Sequence, residues 1–130
     1  NVTFSEKYNE AKARLAEDTR TLPGTVAPAK ASPRPMLASL TADSFFSHKD
    51  YKTAKELYEA ALSKGPVLDK DGKDQTDRTR FRLAMSKTML GDYVAAKADF
   101  AMLTTPNRKA IAEYWLMHVD QLSKAPAPAA

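Results

Sequence analysis

Apolar residues recur along this chain at intervals of three and four, the spacing of one face of an α-helix. Tyr51, Ala54, Tyr58 and Ala61 form one such series, and Tyr93, Ala96, Phe100 and Leu103 form a second. The two series correspond position by position at a constant step of 42 residues. Each follows a short polar joint, Lys49-Asp50 in the first copy and Gly91-Asp92 in the second. Ala42 and Ala84 stand nine residues before the two tyrosines, and matched small side chains mark a place where helices approach closely. The chain therefore repeats one helix-turn-helix unit. The spacing predicts a helix opening at Pro35, a second over about 50–64 that stops at Gly65-Pro66, a third opening at Thr76 or Asp77 and closing at Leu90-Gly91, and a fourth over about 93–103.

The flanks add further elements. Thr3 with Glu6 has the form of a capping box, predicting a helix to about Arg20 with Phe4, Tyr8, Ala11 and Leu15 as a narrow docking stripe. Pro23, Pro28, Pro33 and Pro35 predict that residues 22–35 are an extended linker that resists helix formation. Thr105-Pro106 opens a last helix running to about Lys124, with Ile111, Tyr114, Trp115, Val119 and Leu122 as a broad apolar stripe. Such a helix suits the exposed end of a repeat stack. Residues 125–130 form a low-complexity Ala/Pro tail. The organisation is thus an N-terminal helix in 1–21, a linker over 22–35, a helical repeat domain over 36–124 and a tail over 125–130.

The repeated residues resemble the tetratricopeptide repeat family. The second copy reads Ala84, Gly91-Asp92-Tyr93, Ala96, Phe100 and Pro106; the first reads Ala42, Lys49-Asp50-Tyr51, Ala54, Tyr58, Ala61 and Pro66. The likeness covers roughly residues 35–106. The family period is about 34 residues, so a step of 42 implies about eight residues inserted in the loop between the copies. The first joint lacks glycine, Leu103 replaces a small residue, and Pro106 comes early. The resemblance implies an all-α fold of two helix pairs, with an extra N-terminal helix and a C-terminal capping helix. It also implies a concave groove lined by the first helix of each pair, with Phe46, Arg78, Phe81, Arg82, Met85 and Met89 as its partner-binding candidates. The family's carboxylate-clamp groove carries lysines and asparagines, whereas Ser39 and Asp43 stand at matching places here, which argues against chaperone-tail binding. The fold serves many unrelated tasks, so the resemblance speaks to architecture more than to function.

A chain of 130 residues fits one domain, and 43% hydrophobic residues can fill a core. No run approaches the ~18 apolar residues of a membrane span, and no signal peptide is visible. The chain opens on Asn1 rather than methionine, so a removed leader, a trimmed tag or more protein is expected before it. The absence of cysteine excludes disulfides and thiolate chemistry. A net charge of +4, from 20 basic and 16 acidic residues, permits acidic partners without demanding nucleic acid.

Few residues invite chemistry. In Asp69-Lys70-Asp71-Gly72-Lys73-Asp74, setting Gly72 in the EF-hand glycine slot puts Val67 at the first ligand and Arg78 at the closing glutamate, so no metal is expected. His48 and His118 lack metal-ligand spacing, and no Gly-rich phosphate loop or nucleophile motif is present. No catalytic residue, cofactor or metal is therefore expected. Arg78 and Arg82 share a helix face, with Arg80 pointing elsewhere. With Phe81, Met85 and Met89 they form either an adaptable partner surface or a core stripe flanked by solvated cations. Tyr114, Trp115 and Met117 are either core or a contact surface for another subunit.

The expected function is non-enzymatic protein–protein interaction, as a scaffold or structural subunit of a bacterial envelope or secreted assembly. The alternatives are a peptide-binding adaptor using the groove and, behind it, nucleic-acid binding through the basic face. Periplasm or secretion is the expected location, with cytoplasm as the alternative. In a structural subunit, 22–35 and 125–130 should run along neighbouring chains. In an adaptor, the linker should lie on its own helices and leave the Arg78–Met89 face open.

Overall fold

The computed structural model describes residues 22–124; the predicted N-terminal helix and the Ala/Pro tail lie outside the described residues. Among the described residues the chain is all-α. A 3-10 turn, Leu22–Thr25, leads into α1 (Val26–Ala31), α2 (Pro35–Ser47), α3 (Tyr51–Ser63), α4 (Thr76–Met89), α5 (Tyr93–Ala101) and α6 (Pro106–Lys124). The loop between α3 and α4 closes on itself through one antiparallel bridge, Leu68 to Asp74.

The two joints are built alike. Asp50 caps α3 by accepting the Thr53 amide at 3.2 Å, and Asp92 caps α5 by accepting the Ala95 amide at 3.4 Å. On the other side of each joint the outgoing helix closes with paired amide bonds. Asp50 N donates to Phe45 O and Lys49 N to Phe46 O; Asp92 N donates to Lys87 O and Gly91 N to Thr88 O. This closure needs a left-handed residue, supplied by Gly91 at φ 84° and Lys49 at φ 64°. A Cβ at Gly91 would meet nothing within 4 Å, so a substitution there is opposed by backbone conformation alone. Gly91→Val is therefore expected to destabilise by at least ~1 kcal/mol, and Lys49→Gly to stabilise by up to ~1 kcal/mol. Thermal melts of the two variants should move in opposite directions; equal shifts would refute this origin.

The linker departs from expectation. Residues 22–35 are not extended: they form the 3-10 turn and α1 before turning at Ser32 into α2. Pro28 is the third residue of α1, where the amide it lacks would have no helical partner. Ala29 is fully buried in a cluster with Ala42, Phe45, Ala54, Leu57 and Leu83. Lys64 at the end of α3 donates to the carbonyls of Ala29 and Lys30, holding the closing turn of α1.

Two main clusters share α4 between them. Leu83 belongs to the first, while Ala84 joins Ala96, Phe100, Leu103, Ala112 and Val119 in the second. Ala42, Ala54, Ala84 and Ala96 are all at 0% exposure, as expected of residues at helix crossings. The inserted loop is anchored by Val67, which is buried with Ala38 and Ala61. Two boundaries shift: Gln75 takes the N-cap position of α4, where Thr76 or Asp77 was expected, and α5 ends at Ala101. Asp77 instead reaches across to the start of α6, accepting the amides of Thr104 and Thr105 at 2.9 and 2.6 Å. Burial alone would raise its pKa, but these amide bonds outweigh it and hold the carboxyl below its ordinary value.

Candidate functional site

Helix α4 carries four cations, Arg78, Arg80, Arg82 and Lys87, and each finds a carboxylate on a neighbouring helix. They divide by face. Arg78 and Arg82, one turn apart, both reach Asp43 on α2, at 2.9 and 3.2 Å. Arg80 and Lys87 reach Asp99 on α5. Each carboxylate thus serves two cations, leaving one positive charge in excess on either side of α4.

On the α2–α4 side Asp43, Arg78 and Arg82 are partly exposed, and on the other side Arg80 borders an open cavity of about 500 Å³. Asp43 also accepts the Tyr58 hydroxyl at 2.5 Å, so one carboxylate gathers α2, α3 and α4. The Arg82 guanidinium lies 5.3 Å from the centre of the Phe46 ring, in cation–π contact. Phe46 is fixed edge-on against Tyr51 and Tyr58. Below them the Ser39 and Thr79 hydroxyls share a buried hydrogen bond of 2.8 Å. Nη1 of Arg78 is buried with no protein hydrogen-bond partner. Arg82 remains about a third exposed.

An open, largely apolar cavity of about 710 Å³ lies against the start of α2, with Arg34, Asp69, Lys70 and Asp71 also in its lining. Met36, Leu37 and Leu40 form one wall, and Leu68 of the inserted loop forms another. Leu37, Leu40 and Leu68 are each close to half exposed. Leu40 precedes Asp43 by three residues, so cavity and ion cluster share one face of α2.

Of the six groove candidates, the structure brings three together: Phe46, Arg78 and Arg82. Phe81 and Met85 turn the other way. Phe81 packs edge-on against Phe100 at 5.6 Å, and both pack on the second core cluster. Met89 is exposed at the end of α4, away from either cluster. The sequence reading missed Asp43 and Tyr58 as organisers of the site. A signal for them existed: their equivalents 42 residues on are Met85 and Phe100, so a polar pair in one copy becomes an apolar pair in the other.

Burial, reinforced by the adjacent Asp43 carboxylate, pushes the Tyr58 phenol well above its ordinary value near 10. The folded state therefore holds the proton that the unfolded chain releases near pH 10. The resulting stability is fully present below that pH and is lost as pH rises toward the folded value. Tyrosinate absorbance should show Tyr58, one of five tyrosines, ionising only with unfolding. Tyr58→Phe should remove that late component; a single step for all tyrosines would contradict it.

The other sequence candidates have structural partners. Asp69 accepts the amides of Asp71 and Lys73 and the Gln75 side chain, so the inserted loop folds around it. Those bonds, led by that of Lys73, hold its pKa low. Among the described residues no three His, Asp or Glu side chains converge as metal ligands. Nδ1 of His48 lies 2.7 Å from Ser44 O, and His118 stacks edge-on with Trp115 at 5.6 Å. No helix among the described residues is long and apolar enough to cross a membrane.

Comparison with protein-family models, with curated proteins and with solved structures finds no match to this chain.

Proposed function

We propose that this chain is a tetratricopeptide-like helical repeat module without catalytic activity, and that it binds a protein or peptide on the face shared by α2 and α4. The observation that carries this reading is the continuity of two recognition chemistries on one face. An arginine pair on Asp43 lies one turn along α2 from an open cavity walled by Leu37, Leu40 and Leu68, whose lining also carries Arg34, Asp69, Lys70 and Asp71. Half-exposed leucines beside an ordered cation suit a partner segment with apolar anchors and a hydrogen-bond acceptor.

This reading favours the adaptor alternative because residues 22–35 lie on their own helices through Ala29 and Lys64. The scaffold reading turns on neighbouring chains along 22–35 and 125–130, and the tail lies outside the described residues. Panning a displayed peptide library against the full chain tests the adaptor reading. Selected peptides should lose about tenfold or more in affinity with Leu40→Asp and with Arg82→Gln. Val94→Lys, on the highly exposed first turn of α5, should leave binding intact. Peptides indifferent to all three variants, or no selected peptide at all, would sink the proposal.

A further inference from the structure

Five methionines lie along the chain, and the fold gives their sulfurs different surroundings. Met36 and Met85 are partly buried and pack on core clusters. Met89, Met102 and Met117 are exposed, at 59%, 55% and 67%. Among the described residues, Met102 is the exposed methionine whose sulfur meets a hydrogen-bond donor: Nη1 of Arg80 lies 3.4 Å from its Sδ.

The helix ends bring the two side chains together. Met102 closes α5, its amide donating to the carbonyl of Asp99. Arg80 stands on α4 and reaches Asp99 Oδ1, also at 3.4 Å, through the same nitrogen. Both residues line the open cavity of about 500 Å³ where the end of α3 and the start of α4 meet the turn after α5, so a small solute reaches the sulfur. The pairing is unequal. A thioether sulfur is a weak acceptor, whereas a guanidinium is a cation with five N–H donors. Both bonds of Arg80 here, to Met102 and to Asp99, come from Nη1. A sulfoxide oxygen carries partial negative charge and is a far better match for that cation. It would stand one bond from the sulfur, within reach of the guanidinium, while Asp99 keeps Lys87 on its other oxygen.

We propose that Met102 is a redox-modification site whose sulfoxide form is held by Arg80. The oxidant is hydrogen peroxide or a peroxide of similar size. The sulfur lone pair attacks one peroxide oxygen, and the S–O bond forms as the O–O bond breaks. Sulfur is oxidised by two electrons, and hydrogen peroxide is reduced to water. Methionine oxidation disrupts a core because it sets a polar oxygen among apolar groups. At Met102 the new oxygen meets a cation and solvent instead, and it ties the turn after α5 to α4. Methionine sulfoxide reductases return the thioether, so the step is reversible. The inference stands independently of what the α2–α4 face binds.

The test uses the full chain with Met36, Met85, Met89 and Met117 replaced by leucine, which leaves Met102 as the single methionine, beside the unsubstituted chain. Methionine and leucine are close in volume, so these replacements should preserve the fold. Hydrogen peroxide should add one oxygen to the substituted chain, and peptide mapping by mass spectrometry should place an oxygen on Met102 in both. The decisive quantity is the change in melting temperature on oxidation. That change should be more favourable by about 3 °C with Arg80 than with Arg80→Ala, roughly what one hydrogen bond contributes at this chain length. Equal changes with and without Arg80 overturn the proposal. So does a Met102 that stays unmodified in the unsubstituted chain while Met89 and Met117 are oxidised.

Discussion

Asp99→Ala is expected to destabilise the fold by about 3–5 kcal/mol, the range for removing one partner of a buried ion pair. The carboxylate is 10% exposed and accepts from Arg80 Nη1 at 3.4 Å and Lys87 Nζ at 2.5 Å. Alanine would leave a lysine that is 12% exposed and an arginine that is 20% exposed with no counter-charge. Lys87 is the more deeply held of the two, while Arg80 borders an open cavity and can turn part of its charge to water. At this chain length the melting temperature should fall by roughly 10 °C or more. The charge itself is not what the fold needs. Replacing the cluster with apolar side chains of similar volume, Asp99→Leu with Lys87→Met and Arg80→Met, should recover most of the loss. An unchanged melt for Asp99→Ala would show that this cluster does not hold α5 to α4.

The ionic clusters explain why part of this molecule was legible in the sequence and part was not. Helices α3 and α5 were readable because Asp50 and Asp92 cap them locally, and because their alanines and aromatics keep helical spacing. Gly91 announced its joint, since a left-handed residue is needed there; the joint at Lys49-Asp50 was legible only through its register with the second copy, because Lys49 takes that conformation without being glycine. Helix α1 was hidden by its prolines. Composition argued for an extended linker, but Pro28 falls in a first turn, where its missing amide costs little. The faces of helix α4 stayed ambiguous for a different reason. It has no clear apolar stripe because both of its flanks are held by charge, Asp43 on one side and Asp99 on the other. Spacing alone placed Arg78 with Arg82 and separated Arg80, but it could not say which neighbour each would meet. Phe81 and Met85 were therefore readable either as partner surface with the arginines or as a core stripe, and their packing on Phe100 and the second core fits the core stripe.

The second large effect is expected at the helix crossings, where Ala96→Leu should cost about 1–3 kcal/mol by overpacking. Ala96 is at 0% exposure and sits in one cluster with Ala84, Phe100 and Leu103. A leucine there has two ways to fit. It can push α5 away from α4, which strains the bond from Arg80 to Asp99 and the edge-on contact of Phe81 with Phe100. It can instead adopt a strained rotamer against Phe100. Ala54→Leu poses the same problem in the first unit, among Ala42, Leu57 and Tyr58. The two substitutions should differ in reach. Overpacking at Ala54 displaces α3 from α2 and should loosen the Tyr58–Asp43 bond, so the Tyr58 phenol should titrate closer to its ordinary value. Overpacking at Ala96 should leave that titration alone while lowering the melting temperature. Paired melts and tyrosinate titrations of the two variants check this directly. If Ala96→Leu melts like the parent, the alanines are not what allows the helices of each pair to approach, and the equivalence of the two units would lose its physical basis.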